Sequence, residues 1–214
     1  MVVFIKTPLI KYPVQLYLSD KLKSDVKIDK CNFSFKQGII AGGVIIKNEE
    51  GLYCAITQGR LKINPSRILE RAFYVDYSLR GVEFSHPSSK IIEGISELFN
   101  IDFSQYLIFT KINGGIELKR DELTVKNLYA KGRDVSFYLD GTTSNSGRDI
   151  NYTCKLLLSE KLTGDMPEST RELFFKKGTD YSTVQLYLSG KLAKPTINFS
   201  TPLFKIPSTK LKIR

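Results

Sequence analysis

The chain is written mostly in alternation. "VSFYLDGTT" sets Val135, Phe137 and Leu139 against Ser136, Tyr138 and Asp140, and "INYTCKLLL" puts Ile150, Tyr152, Cys154, Leu156 and Leu158 on one side. A period of two is that of a strand with one dry face and one wet face. The first third behaves alike, in "DVKIDKCNFSFKQG", "IIAGGVIIKNEEG" and "LYCAITQGRLKIN". Short polar or Gly-containing stretches read as connectors between these runs: "NGG" at 113–115, "KRDE" at 119–122, "AKGRD" at 130–134 and "TSNSGRD" at 143–149. They are too short to carry a parallel crossover, so the expected sheet is an antiparallel meander. Gly42 and Gly43, inside an apolar run, predict a bulge or bend.

Three stretches leave the period of two. "PSRILERAF" (65–73), "PSSKIIEGISELF" (87–99) and "MPESTRELFF" (166–175) each carry Pro and Ser ahead of apolar residues at helical spacing, which predicts three short helices. One hexapeptide, VQLYLS, occurs twice, at 14–19 and 184–189, and both copies read as strands that begin and end the sheet. Roughly thirteen strands side by side, at ~4.8 Å each, make a sheet on the order of 60 Å across. Three small helices cannot cover its apolar face, so the sheet has to fold onto itself or curl around something greasy. The expected fold class is therefore mainly β: one long meander curled into a groove. It forms a single domain over 1–214, with an amino-terminal part (1–86), a helical insertion (87–100) and a carboxyl-terminal repeat part (101–214).

Chemistry enters chiefly by exclusion. The 214 residues contain one histidine, His86, which reads as a loop residue beside Pro87, and none of the nucleophile-elbow, P-loop, dinucleotide or metalloprotease spacings. Acidic pairs such as Glu49–Glu50 and Asp121–Glu122 fall in turns. Three cysteines, Cys31, Cys54 and Cys154, lack metal-site spacing and read as small core residues. The expectation is a protein with no catalytic residues, no metal and no cofactor. The formal net charge is +10, but the lysines stand singly rather than in a tract. That scatter argues for a solvated basic surface and against nucleic acid as a partner, although Tyr17, Tyr138 and Tyr187 interleave aromatic rings with the charge.

Several segments together resemble a known family. "GGVIIKNEEGLYCAI" (42–56) followed by "LKINPSRILERAFYVDYSLRGVEF" (61–84) is similar to the hairpin and the strand, Asn-Pro, short helix, strand step of AsmA-like proteins. The stretch from Ile112 to Leu162 resembles that family's repeat of Gly-punctuated strands, and "VQLYLSGKLAKPTINF" (184–199) resembles its ending, which the type II secretion protein N shares. The resemblance implies a periplasmic body associated with the inner membrane, a curled sheet with an apolar inner face, and a role in handling phospholipid. Measured against that family, the expectation is a shorter body with no anchor within the 214 residues.

Two functions follow as expectations. The first is a non-enzymatic groove that holds the acyl chains of a phospholipid or another lipid. Its inward stripe would comprise Ile116, Leu118, Leu123, Val125, Val135, Phe137, Leu139, Tyr152, Leu156, Leu158, Val184, Leu186 and Leu188. The alternative is a structural component of an envelope or secretion assembly that pairs with partner proteins through exposed sheet edges.

Overall fold

The computed structural model describes residues 5–6, 8–34, 36–48, 53–64, 72–85, 90–119, 122–144, 149–175, 182–192, 194–200 and 211–212. The expected helix at 65–73, His86 and Glu49–Glu50 lie wholly or mostly outside them. One antiparallel sheet runs in strict chain order. Its strands are β1 (Ile5–Lys6), β2 (Asp25–Ser34), β3 (Gly38–Lys47), β4 (Tyr53–Asn64), β5 (Ala72–Ser85), β6 (Ile108–Lys119), β7 (Glu122–Gly132), β8 (Val135–Ser144), β9 (Asp149–Leu158), β10 (Ser182–Lys191), β11 (Lys194–Ser200) and β12 (Leu211–Lys212). The first and last strands do not pair with each other, so the meander is open rather than a barrel.

The sheet has one apolar face, and that face changes parity along a line. On β2 the core residues are Val26, Ile28 and Cys31; on β6 they are Phe109 and Ile112. The step from 28 to 31, and from 109 to 112, is three rather than two. Pairing shows that the slip is shared: Ile28, Val44, Ile56, Val82 and Phe109 form one row across the sheet, and Cys31, Ala41, Gly59, Leu79 and Ile112 form the next. Two residues per strand between these rows turn to the opposite face, as in a β-bulge, so a crease crosses five strands. Gly43 sits on it with φ +62°, and the Asp29 side chain occupies the place where a Cβ on Gly43 would project. The bend expected at Gly42–Gly43 is thus one element of a sheet-wide feature.

A second irregularity corrects the reading of "NGG". Residues 113–115 form no connector; they lie inside β6, where the β6–β7 register shifts, and a further shift separates Val125 from Leu128 against β8. The glycines serve close packing instead of a turn: the Tyr77 ring end fills the space above Gly114, and that of Tyr74 the space above Gly115. Opposite, Asn127 takes φ +50° and its N–H donates to Asp140 Oδ1 at 2.6 Å.

Among the described residues four helices accompany the sheet: α1 (Pro8–Leu22), α2 (Lys90–Phe99), α3 (Glu160–Gly164) and α4 (Glu168–Phe174), with a 3₁₀ turn at Phe103–Tyr106. The helices expected at 87–99 and 166–175 correspond to α2 and α4. In the carboxyl-terminal half, Phe99, Phe103, Leu162, Met166, Phe174 and Phe175 come from these short elements and pack on Leu158, Val184, Leu186 and Ile197 of the sheet. Phe99 is fully buried, with ring centroids 5.5 Å from Phe103 and 5.1 Å from Phe174. Ser159 caps α3 by accepting from Leu162 N–H at 3.2 Å, and its own N–H donates to the Asp134 carbonyl at 2.8 Å, which ties α3 to the β7–β8 turn.

The repeated hexapeptide takes two conformations, which overturns the expectation of two strands at the sheet's ends. At 184–189 it is strand β10, paired on both sides by β9 and β11, with Val184, Leu186 and Leu188 inward. At 14–19 it is the middle of α1, where Val14 and Leu18, four apart, pack against the β2–β3 core while Leu16 and Tyr17 are exposed. The two nine-residue copies differ at one position, Asp20 against Gly190. Gly190 has φ +89° where β10 enters its hairpin, a conformation that costs an Asp of L configuration about 1 kcal/mol or more. Asp20 instead forms an i,i+3 ion pair with Lys23 at 3.1 Å, and Ser19 Oγ accepts from Val26 N–H at 3.1 Å, fixing the helix end to the first long strand. Pro8 at the first helical position supports the helix start.

Candidate apolar binding site

Three neighbouring strands build the floor of the site. Register aligns Phe137 with Leu156 and Leu139 with Cys154 between β8 and β9, and Tyr152 with Leu188 between β9 and β10. Alternation then sends all six side chains to the face that carries α2. Over them, α2 presents Ile91, Ile92 and Ile95, spaced to share one side of a helix. Phe84 of β5, Phe109 of β6, Phe103 and Leu107 close one flank, with Phe109 edge-on to Phe137 at 5.5 Å. Between floor, flank and helix lies a cavity of about 330 Å³, in whose wall no polar atom is exposed.

The two wall residues with polar atoms are already satisfied or neutral. The Tyr152 hydroxyl shares a 2.6 Å hydrogen bond with the Thr143 hydroxyl. Burial pushes the Cys154 thiol up to about 12, so it stays protonated at neutral pH. Cys31, Cys54 and Cys154 are all free and buried. A wall of this kind offers a guest no hydrogen bond and no charge, only removal of apolar surface from water, worth ~0.8 kcal/mol per buried CH₂.

Six expected site residues, Val135, Phe137, Leu139, Tyr152, Leu156 and Leu188, line the cavity. Leu158, Val184 and Leu186 share its face but are sealed in the adjoining core, each fully buried. Ile116, Leu118, Leu123 and Val125 stand apart: Ile116 pairs with Val125 and Leu118 with Leu123 beyond the β7 bulge, outside the cavity, and Leu118 is 38% exposed. Sequence reasoning missed Phe84, Phe103, Leu107, Phe109 and the roof residues of α2, and it read Cys154 only as a core residue. The Ile91, Ile92, Ile95 stripe was legible as a helix face, but which strands it covers is a matter of tertiary packing. Phe109 was obscured by the parity slip, which removes the simple alternation linking it to Ile112.

The opposite face of the sheet is polar and carries the ion pairs of Glu117. Glu117, almost fully buried there, is held by Lys119 at 2.8 Å and by Lys126, and these two hydrogen-bonded ammonium groups bring its carboxyl down to about 2. Among the described residues no group of three His, Cys, Asp or Glu is placed to hold a metal ion, and no helix is long and apolar enough to cross a membrane. Comparison with family models, with curated proteins and with solved structures finds no match to this chain.

Proposed function

We propose that this protein is a non-enzymatic carrier that holds an acyl chain in the cavity beneath α2. The observation that carries the reading is the apolar wall: a half-open space of about 330 Å³ bounded by aliphatic and aromatic side chains from β5, β6, β8, β9, β10 and α2. Its size stands at the low end of small-molecule sites, which run from ~300 to ~1,000 Å³, so it suits one hydrocarbon chain rather than two. The half-exposed strip formed by Ile116, Leu118, Leu123 and Val125 extends the same apolar face beyond the cavity, where a second chain or the remainder of a longer one would lie. A polar head group finds no partner in the wall and stays in water. The resemblance to AsmA-like proteins points the same way, toward phospholipid as the ligand and the periplasmic side of the inner membrane as the compartment.

The test is displacement of an environment-sensitive naphthalenesulfonate dye by single-chain fatty acids of increasing length. Saturable displacement that strengthens with chain length is expected of the native protein, and Cys154→Trp, which fills the cavity from its floor, is expected to abolish it while far-ultraviolet circular dichroism stays unchanged. Displacement that ignores chain length, or that persists in Cys154→Trp, contradicts the proposal.

A further inference from the structure

Four of the cations scattered through the sequence fall in one row along the crease and onto the next strand. Both residues at each crease position point away from the core, and the register places Arg80 of β5 opposite Lys111 of β6, and Lys111 opposite Lys131 of β7. The same row continues through Gln58 and Gly42 to Lys30 on β2. All four cations are exposed, and none of Arg80, Lys111 and Lys131 makes an ion pair among the described residues. Among the described residues neither Asp29, beside Lys30, nor Glu83, three residues beyond Arg80, forms a salt bridge with the row. Like charges directly opposite on neighbouring strands are destabilising, so three in succession mark a surface kept for something other than stability.

The adjacent row is of a different kind. It holds Ser78, Asn113, Tyr129 and Tyr138, in register across β5 to β8, with Lys155 of β9 next in line. Tyr129 and Tyr138 stack at 4.5 Å, and Tyr138 is 44% exposed. Two residues along a strand separate the rows by ~6.8 Å, and the cations follow one another at the strand spacing of ~4.8 Å. A line of positive charge beside a parallel line of amide and aromatic groups matches a chain whose phosphates run along one edge and whose bases lie to one side. A bilayer surface, being planar, has no need of that one-dimensional order.

We propose that the polar face of this sheet binds single-stranded nucleic acid, with phosphates along Arg80, Lys111 and Lys131 and bases against the Asn113, Tyr129 and Tyr138 row. This surface lies opposite the apolar cavity and is independent of the carrier reading.

The experiment is fluorescence anisotropy of labelled oligouridine and oligodeoxythymidine with the whole chain, over a salt titration. Each neutralised phosphate contributes about 0.7 to the slope of log K against log salt for a single strand, so Arg80→Gln, Lys111→Gln and Lys131→Gln together are expected to lower the slope by about 2. A control triple, Lys161→Gln, Lys191→Gln and Lys194→Gln, brings the net charge from +10 to the same +7 and is expected to leave the slope within about 0.5 of the native value. Tyr138→Ala is expected to weaken binding about tenfold with the slope unchanged, because base stacking on an aromatic ring is salt-insensitive. Should the triple variant fail to fold, Lys111→Gln alone is expected to lower the slope by about 0.7. Absence of saturable binding, equal losses in the control triple, or dependence on the three cations for anionic phosphatidylglycerol vesicles but not for oligonucleotide would each overturn the proposal.

Discussion

Replacing Phe99 by Ala examines the joint that holds the cavity roof. Phe99 ends α2, is fully buried, and touches Phe103, Phe174 and Phe175, so it couples α2 to the 3₁₀ turn and to the end of α4. Truncating a buried Phe costs about 3–5 kcal/mol, of which each lost aromatic pair accounts for about 0.5–1.5 kcal/mol. For a chain of this size each kcal/mol moves the midpoint by about 2–4 °C, so Phe99→Ala is expected to lower Tm by about 6–20 °C. The functional effect is separable. Freed of its anchor, α2 no longer holds Ile91, Ile92 and Ile95 over the β8–β10 floor, so dye uptake at a temperature where the variant is folded falls with the loss of the roof. Differential scanning calorimetry gives the first quantity and dye fluorescence at 15 °C the second. A Tm change below about 3 °C, the scale of a surface substitution, would refute the claim that Phe99 anchors the roof.

Further outcomes follow from other parts of the molecule. Asp20→Gly makes residues 14–22 identical to 184–192. It exchanges a helical ion-pair partner for the residue best suited to a left-handed turn, so amide exchange across 14–22 is expected to accelerate while that of β10 stays unchanged. Glu117 has a carboxyl held at about 2 by Lys119 and Lys126 against 4.5 in the unfolded chain, so its stabilising contribution is complete above 4.5 and disappears as the pH falls toward 2. Glu117→Gln is expected to flatten the loss of stability measured by urea unfolding between pH 5 and pH 2. The buried thiols, with Cys54 up at about 11 and Cys154 at about 12, are expected to react with iodoacetamide at pH 8 only as fast as the protein opens, giving three modified cysteines in denaturant and none rapidly without it.

Most of the architecture was legible because it rests on alternation. Strands β8 and β9 and their inward sets follow directly from side chains that change face at every residue, and the short connectors between them require an antiparallel meander. The helix at α2 was equally plain from its apolar stripe. What escaped was whatever depends on neighbours outside the local window. The VQLYLS segment carries enough apolar residues to satisfy either period, and the choice falls to its surroundings: Pro8 and the β2–β3 core at 14–19, two partner strands and Gly190 at 184–189. The crease consists of a parity slip shared by five strands, visible only once register is known. The same blindness affected the candidate sites. Val135, Phe137 and Leu139 were found because they alternate on one strand, whereas Phe84 and Phe109 reach the cavity from the far side of the crease. Arg80, Lys111 and Lys131, from 20 to 51 residues apart in the chain, become a row through strand pairing alone.

A hydrocarbon guest in the apolar space beneath α2 should accompany the protein through purification. Organic extraction of the purified protein, followed by lipid mass spectrometry and compared with a folded Leu139→Arg variant, tests it most directly. Co-purifying acyl-chain lipid is expected in the native protein and its loss from the variant, since a guanidinium on the cavity floor cannot be buried there unpaired. Equal lipid in both, or none in the native protein after exposure to a lipid extract, would contradict it.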